Sequence, residues 1–558
     1  MLPYPVKLIS CPTSHRPVSL ALHSLLPRDT QKKSQMTDQK PEATKVAYQV
    51  PHDSLPTAVA PQPWRNNKFA MACGALASMT TIVLGYDIGV MSGAAIFIQD
   101  DFHVSDTEIE ILLGILNISS LIGSLAAGRT ADWIGRRYTI VFAAGIFFVG
   151  AILMGLAPNY AFLMVGRFIT GIGVGYAGVI AAVYTAEVAP ASSRGFLVSF
   201  PEVFINFGIL VGYLSNFAFA RLPEHLSWRL MLGVGAIPSV FLGIGVLAMP
   251  ESPRWLVMRG KLAAAKKVLA KTSDTPEEAE ERLLDIKNVA GIPADCNDDV
   301  VAVQKQSHGK GVWKELFLRP TPSVRRVLIS AMGIHFFQQA SGIDSVVLYS
   351  PRVFQKAGIY DKDKLLGTTV AVGFTKTLFI LVATFLLDRV GRRPLLLSSQ
   401  GGMIVSLAGL GLGLTIIDHH PNGQLPWAIG LCIASILAFV AFFSIGMGPM
   451  PSVYCSEIFP LRLRAQGVSV GVVVNRVTSG VITMTFLSLY KAITIGGSFF
   501  LYAGIAAVGW VFFFTYLKET RGKTLEEMEN LFGTKTEEEE DGEVQMANGA
   551  GRGSTGKD

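Results

Sequence analysis

Apolar residues gather in blocks of about 20 between Trp64 and Leu517, separated by polar or charged loops, while both ends of the chain are more polar and hold no such block. A helix needs roughly 20 residues to cross the hydrocarbon of a bilayer, so each block reads as a span. Twelve are counted. Six centre near Leu84, Ser120, Phe147, Thr170, Ile209 and Phe241, and six more near Phe337, Ile380, Leu407, Val440, Ser479 and Ala507. The expected fold is an all-α membrane protein with two six-helix bundles over 68–249 and 324–517. Between them, 250–323 is charged and carries helical segments of its own, one from Lys261 to Lys271 and one capped by Thr275, with Pro276 next and Glu278 at the third helical position. The chain outside the bundles reads as tails, 1–67 and 518–558. Residues 1–35 hold Lys7, Arg16, Arg28, Lys32 and Lys33 against Asp29 alone, the composition of a transit peptide or of an extension upstream of Met36. The polar, Pro-rich stretch that follows reads as disordered. In the other tail, Thr524 and Glu527 predict a cap for a short helix to Leu531. The run Glu537 to Glu540 with Asp541 reads as solvated.

Composition agrees with the blocks. Of 558 residues half are hydrophobic and 16% charged, with a mean hydropathy of +0.42, which excludes a string of soluble domains. The net charge of +6 does not indicate nucleic acid, because Lys and Arg lie between apolar blocks, where they orient helices. Arg129, Arg136, Arg137, Arg194, Arg254, Arg389, Arg392, Arg393, Arg462, Arg464 and Arg521 all follow even-numbered spans or lie in the tail, whereas the first opposite loop carries Asp100, Asp101, Asp106, Glu108 and Glu110 without a cation. Both termini are therefore expected in the cytoplasm, with the plasma membrane favoured and an organelle membrane the alternative. The scattered Cys11, Cys73, Cys296, Cys432 and Cys455 encode neither a disulfide framework nor a metal site.

The two halves repeat. Asp132-Trp-Ile-Gly135-Arg136-Arg137 after the second span returns as Asp388-Arg389-Val-Gly391-Arg392-Arg393 after the eighth, and Glu187-Val-Ala-Pro190 with Arg194 returns as Glu457-Ile-Phe-Pro460 with Arg464. Such duplication points to a binding site between two bundles near the midplane. With Pro250-Glu251-Ser252-Pro253-Arg254 and Gln338-Gln339-Ala-Ser341-Gly342-Ile343-Asp344, these residues make the chain, from about Phe69 to Thr524, resemble the sugar porter family of the major facilitator superfamily. It most resembles the plant polyol/monosaccharide proton symporters, which share a Lys in the eighth span and an Asp after the Gln-Gln pair.

Six ionisable residues sit within spans: Asp87, Arg167, Glu202, Asp344, Lys376 and Arg476, three negative and three positive. Each costs about 3 kcal/mol on insertion scales if left unpaired, so they must face protein or a watery cavity. The resemblance implies that Asp87 carries the proton with Arg167 as its partner. It also implies that Gln338, Gln339 and Asn475 hydrogen-bond hydroxyls of a neutral solute, beside Glu202, Asp344 and Lys376, which stand where the family usually has amides. Asp344 and Lys376 are expected to pair. Ser452 replaces the family's Trp, with Phe336 or Tyr349 the candidate substitutes, and Gly446 to Pro451 are expected to break the tenth helix. Asp132, Arg136, Arg137, Glu187, Arg194, Asp388, Arg392, Arg393, Glu457 and Arg464 are expected to form a gate latch that bridges the cytoplasmic ends of the two halves when the inside gate is shut and separates when it opens.

Gly173-Val-Gly175-Tyr-Ala-Gly178 spells GxGxxG inside an apolar helix, a packing face rather than a nucleotide loop. No P-loop, HExxH or nucleophile triad is present, and His335 reads as packed, so an enzyme is not expected. The expectation is proton-coupled symport of a polyol or monosaccharide by a lipid-embedded monomer without cofactor, metal or nucleic acid. A facilitative uniporter and a sugar sensor without flux are the alternatives.

Overall fold

A computed structural model describes residues 67–296, 298–301, 314–318, 320–420, 425–459 and 463–520. The proposed tail features at residues 1–35, at Thr524 and Glu527, and along Glu537 to Asp541 lie outside those residues. Among the described residues every regular element is helical, and eleven helical segments are long and apolar enough to cross a membrane. The first half contains α1 (Lys68–Phe102), α2 (Asp106–Ile134), α3 (Arg136–Gly155), α4 (Tyr160–Val188), α5 (Arg194–Phe219) and a sixth span divided at Gly235 into α6 (Glu224–Val234) and α7 (Ala236–Leu247).

The connecting region folds as α8 (Pro253–Met258), α9 (Leu262–Thr272) and α10 (Pro276–Ala290). The Thr275 hydroxyl caps α10 by accepting from Glu278 N–H at 3.2 Å. This small layer is held by the first half. Asn67 Nδ2 donates to the carbonyls of Lys271 and Ser273, and Arg282 donates to those of Glu187 and Val188. It marks one end of the molecule, the linker end; the opposite end is the far end.

In the second half the seventh span is broken, which the apolar pattern does not predict. Helix α11 (Pro322–Ala340) stops and α12 (Ile343–Lys356) restarts through Gly342, whose φ of +83° is left-handed. Neither piece alone is both long and apolar enough to count as a span. Then come α13 (Lys362–Val390), α14 (Arg392–His419), α15 (Pro426–Phe442), a π-helical turn at Phe443–Met447, α16 (Met450–Ile458), α17 (Arg464–Ile493) and α18 (Ile495–Tyr516). The tenth span is thus interrupted where Gly446, Gly448, Pro449 and Pro451 predict it.

Small residues let these helices approach. A Cβ on Gly175 would strike the Ser120 carbonyl of α2, and one on Gly173 would press on Phe147 of α3. Both therefore serve helix packing, whereas Gly178 faces open space. Between the halves, α2 runs against α17 and α5 against α13, with Tyr213 of α5 donating its hydroxyl to Val347 O of α12 at 2.7 Å.

Candidate functional site

Two polar centres lie inside the bundle. In the first, Arg167 of α4 donates Nη1 to Asp87 Oδ2 of α1 at 2.6 Å, both side chains being essentially inaccessible. Arg167 Nε reaches Leu112 O of α2 at 3.3 Å, and its Nη2 has no partner. A buried ion pair is costly unless both charges are well satisfied. A guanidinium nitrogen left over beside a single carboxylate marks this pair as incompletely satisfied.

The second centre gathers around the two helix breaks. Gln338 Nε2 donates to the carbonyls of Met447 and Gly448 at 2.9 and 3.1 Å, acceptors exposed by the broken tenth span. Asn475 Nδ2 of α17 donates to Gln338 Oε1 at 2.8 Å, and Gln339 Nε2 donates to Asn475 Oδ1 at 3.3 Å. The chain of amides ends in Gln339 Oε1, a buried acceptor without a partner. Such an atom is costly to bury unless a hydroxyl or water meets it.

Four charges surround the amides: Glu202 from α5 in one half, and Asp344 (α12), Lys376 (α13) and Arg476 (α17) from the other. None has an opposite charge within ion-pair distance, so the expected Asp344–Lys376 contact is not made. Asp344 instead accepts from the Ser479 hydroxyl. Lys376 is 9% exposed and lies 5.9 Å from the centre of the Phe443 ring. Lys376 has Glu202 and Asp344 as its acidic neighbours, and Arg476 has the same two. Helix register accounts for Glu202 beside Lys376. Thr377, next to Lys376, donates to Asn206 O at 3.1 Å, and Asn206 Nδ2 donates to Glu202 O one turn back at 2.7 Å. Gly373, one turn before Lys376, packs on Tyr213 and Leu210 of α5, so Lys376 shares the face of α13 that meets the opposite half.

Neither candidate substitute for the missing Trp is placed to serve. Phe336 is 43% exposed and packs edge-on against Phe337, and Tyr349 is buried with its hydroxyl given to Thr483 O at 2.7 Å. Thr483 lies two turns beyond Asn475 on α17, about 12 Å at 1.5 Å per residue. The aromatic at this centre is Phe443, which sequence reading missed among many apolar neighbours. Ser452 is exposed.

At the linker end the repeated motifs build two matching clusters. Arg136 makes a two-pronged contact with Glu187 at 3.1 Å for each nitrogen, and also reaches Asp132; Arg392 holds Glu457 at 2.9 Å. Glu251, unassigned from sequence, accepts from the backbone N–H groups of Arg136 and Arg137 at 2.8 and 3.2 Å, capping α3. Glu519 does the same for Arg392 and Arg393 at 3.0 Å each, capping α14. Burial pushes the Glu251 carboxyl above the usual range, against the pull of the N–H donors of Ser252, Arg137 and Arg136 and of the Arg136 charge. Gly135 and Gly391 turn the chain at φ of +99° and +101°, and a Cβ at Gly135 would collide with Glu251. That is why the motif needs glycine. Ser252 donates to Glu187, and Thr520 donates to Glu457 at 2.6 Å, completing the symmetry. Arg137 and Arg393 donate to Leu247 O and Phe514 O, tying each cluster to the last span of its own half. Arg464 donates to Phe459 O at 3.4 Å. The side chains of Arg194 and Asp388 lie outside the described residues. Each of the contacts just named lies within one half; the latch expected between the halves belongs to a conformation with the linker end shut.

The far end is the reverse. Asp106 of α2 meets Arg352 of α12 at 3.0 Å and Lys491 of α17 at 2.6 Å, and Glu110 accepts from Ser488 N–H and Oγ at 2.8 and 2.7 Å. Arg221 pairs with Asp363 at 3.1 Å and Glu224 with Lys362 at 3.3 Å. All join one half to the other. These contacts hold the two halves together at the far end.

The profile described as "Sugar (and other) transporter" matches residues 73–532. Putative polyol transporter 1 of Arabidopsis thaliana is 66% identical over 478 residues, covering 85% of this chain and 94% of that protein. Polyol transporter 5 of the same plant is 65% identical, covering 89% and 92%. Among solved structures, the major facilitator superfamily proton:xylose symporter XylE bound to 6-bromo-6-deoxy-D-glucose superposes with a TM-score of 0.69 at 26% identity, over 84% of this chain and 100% of that one.

Proposed function

The chain belongs to the sugar (and other) transporter family of the major facilitator superfamily, and from that membership we propose that it carries polyols or monosaccharides across a membrane by alternating access, driven by protons. The observation that carries the coupling is the buried Asp87–Arg167 pair at 2.6 Å with a guanidinium nitrogen to spare. A carboxylate beside Arg⁺ stays ionised; drawn away from it into an apolar surround, it takes a proton. Asp87 loads when α1 and α4 part and unloads when they close. The amide chain ending in Gln339 Oε1, with the four surrounding charges, offers acceptors and donors to a hydroxyl-rich, neutral solute. The similarity to a proton:xylose symporter and to plant polyol transporters supports the same reading.

The linker end then faces the cytoplasm with both termini, the far end faces out, and the conformation is inward-facing. The plasma membrane is the proposed site and the monomer the working unit, with no cofactor and the proton as the coupling ion. One proton entering down 100 mV supplies about 2.3 kcal/mol and each pH unit about 1.4 more, together roughly 500-fold accumulation of a neutral solute.

The test is uptake of labelled polyol into cells expressing the protein at two external pH values. Accumulation rises at the lower pH, because protons then enter downhill. Asp87→Asn leaves solute exchange but brings accumulation to about unity. Since that change strands Arg167, Asp87→Asn with Arg167→Gln is run beside it. Accumulation that ignores pH and survives both variants makes the protein a facilitator, and binding without flux makes it a sensor.

A further inference from the structure

At the far end, two of the ion pairs that join the halves, from two different helices, meet on one carboxylate, and Arg221–Asp363 and Lys362–Glu224 lie on exposed side chains beside it. Asp106 begins α2, where the helix dipole already favours an anion, and receives Gln99 Nε2 at 2.9 Å from its own half. From the other half come Arg352 at 3.0 Å and Lys491 at 2.6 Å, on two different helices, and Arg352 also donates to Gln99. One turn further along α2, Glu110 is 1% exposed and takes both donors of Ser488. The seam below is apolar: Met484 of α17 lies where a side chain on Gly114 of α2 would be. At the linker end, by contrast, Arg136–Glu187 and Arg392–Glu457 each pair within one half.

We propose that Asp106, with Arg352 and Lys491, is the outer gate clamp of this protein: a charge contact that exists only when the far end is closed and so sets the balance between outward- and inward-open forms. The inference rests on the alternating-access reading. Two carboxylate–cation contacts part together when α2 leaves α12 and α17, whereas pairs such as Arg136–Glu187 remain whole in either form. A ligand-independent contact present in one state only shifts the equilibrium by its own strength. Partly exposed pairs are individually weak, so Asp106→Asn, which removes two at once, raises the outward-open share about 3–10-fold. Being partly exposed, the clamp is also screened by salt.

The experiment places a reporter at Met484→Cys and measures its labelling by a membrane-impermeant thiol reagent from outside, in full-length protein in membranes. Asp106→Asn is expected to speed labelling about 3–10-fold and to lower the external half-saturating polyol concentration. Lys491→Gln, on a half-exposed side chain, acts in the same direction and less. Labelling rises with external salt, and by a smaller factor in Asp106→Asn, where only the exposed Arg221–Asp363 and Lys362–Glu224 pairs remain to be screened; mere loss of packing would leave that factor unchanged. The swap Asp106→Arg with Arg352→Asp returns the rate toward the parent value. Equal labelling in parent and Asp106→Asn, or a salt response undiminished by the substitution, overturns the clamp. Absent polyol uptake by the parent would instead sink the transport reading, and the two failures are told apart because labelling needs no substrate.

Discussion

Lys376 is the side chain whose neighbourhood changes most between sequence and structure. Motif comparison sets it beside Asp344, since both stand where amides are usual, but Asp344 is occupied by Ser479 and Lys376 faces Glu202 across the α5–α13 seam. Within a buried set of two carboxylates and two cations, deleting one charge leaves a net charge of one, while deleting a facing pair leaves none. Lys376→Gln is therefore expected to reduce uptake at least tenfold. Glu202→Gln with Lys376→Gln is expected to recover more of it than Asp344→Asn with Lys376→Gln, as read from initial rates in a double-mutant cycle. Equal recovery by the two pairs would mean that Lys376 does not distinguish the carboxylates. Asp87 and Arg167 needed no such revision, because the family resemblance names both partners and the structure joins them at 2.6 Å.

Helix breaks decide where the amides can act, and they differ in how visible they are. The tenth span announces its break with Gly446, Gly448, Pro449 and Pro451, residues that remove backbone bonds or relax backbone limits. The seventh has no proline near its break, and Ser341-Gly342 is unremarkable in an apolar helix; only the left-handed φ at Gly342 reveals the turn. Gly342→Ala would place a Cβ 2.6 Å from the Tyr502 ring and force a strained φ, at about 1–2 kcal/mol for the backbone alone. The purified variant should lose several degrees of melting temperature, and an unchanged melting curve would mean that α12 re-aims without cost. Spans and their order were legible because each must be apolar over a fixed length. The far-end contacts were not, because Asp106 and Arg352 lie 246 positions apart and each alone looks like an ordinary charge at a helix end. Glu251 was visible only as part of a motif; its capping role depends on a turn that brings α3 beside the chain leaving α7.

Each half is built as a unit with its own copy of the same lock: a glutamate capping the third or ninth span, a second glutamate holding the arginine, and a hydroxyl between them. If the halves rock as rigid bodies, these locks keep each bundle whole while the clamp and the seams change. Glu251→Gln and Glu519→Gln keep an acceptor oxygen but lose the charge that draws the helix N–H groups and the arginine, so each is expected to cost about 1–2 kcal/mol of stability. The two sites share no partner among the described residues. Their effects on melting temperature should add within about 0.5 kcal/mol in the double variant. Transport rate follows a different rule. If the clusters meet across the halves when the linker end closes, as their charges permit, each substitution weakens the same closed state, and the loss of rate in the double variant falls short of the product of the single losses. Additive stability with non-additive rate would establish contact in the unseen closed form, whereas additivity in both would confine each lock to its own half throughout the cycle.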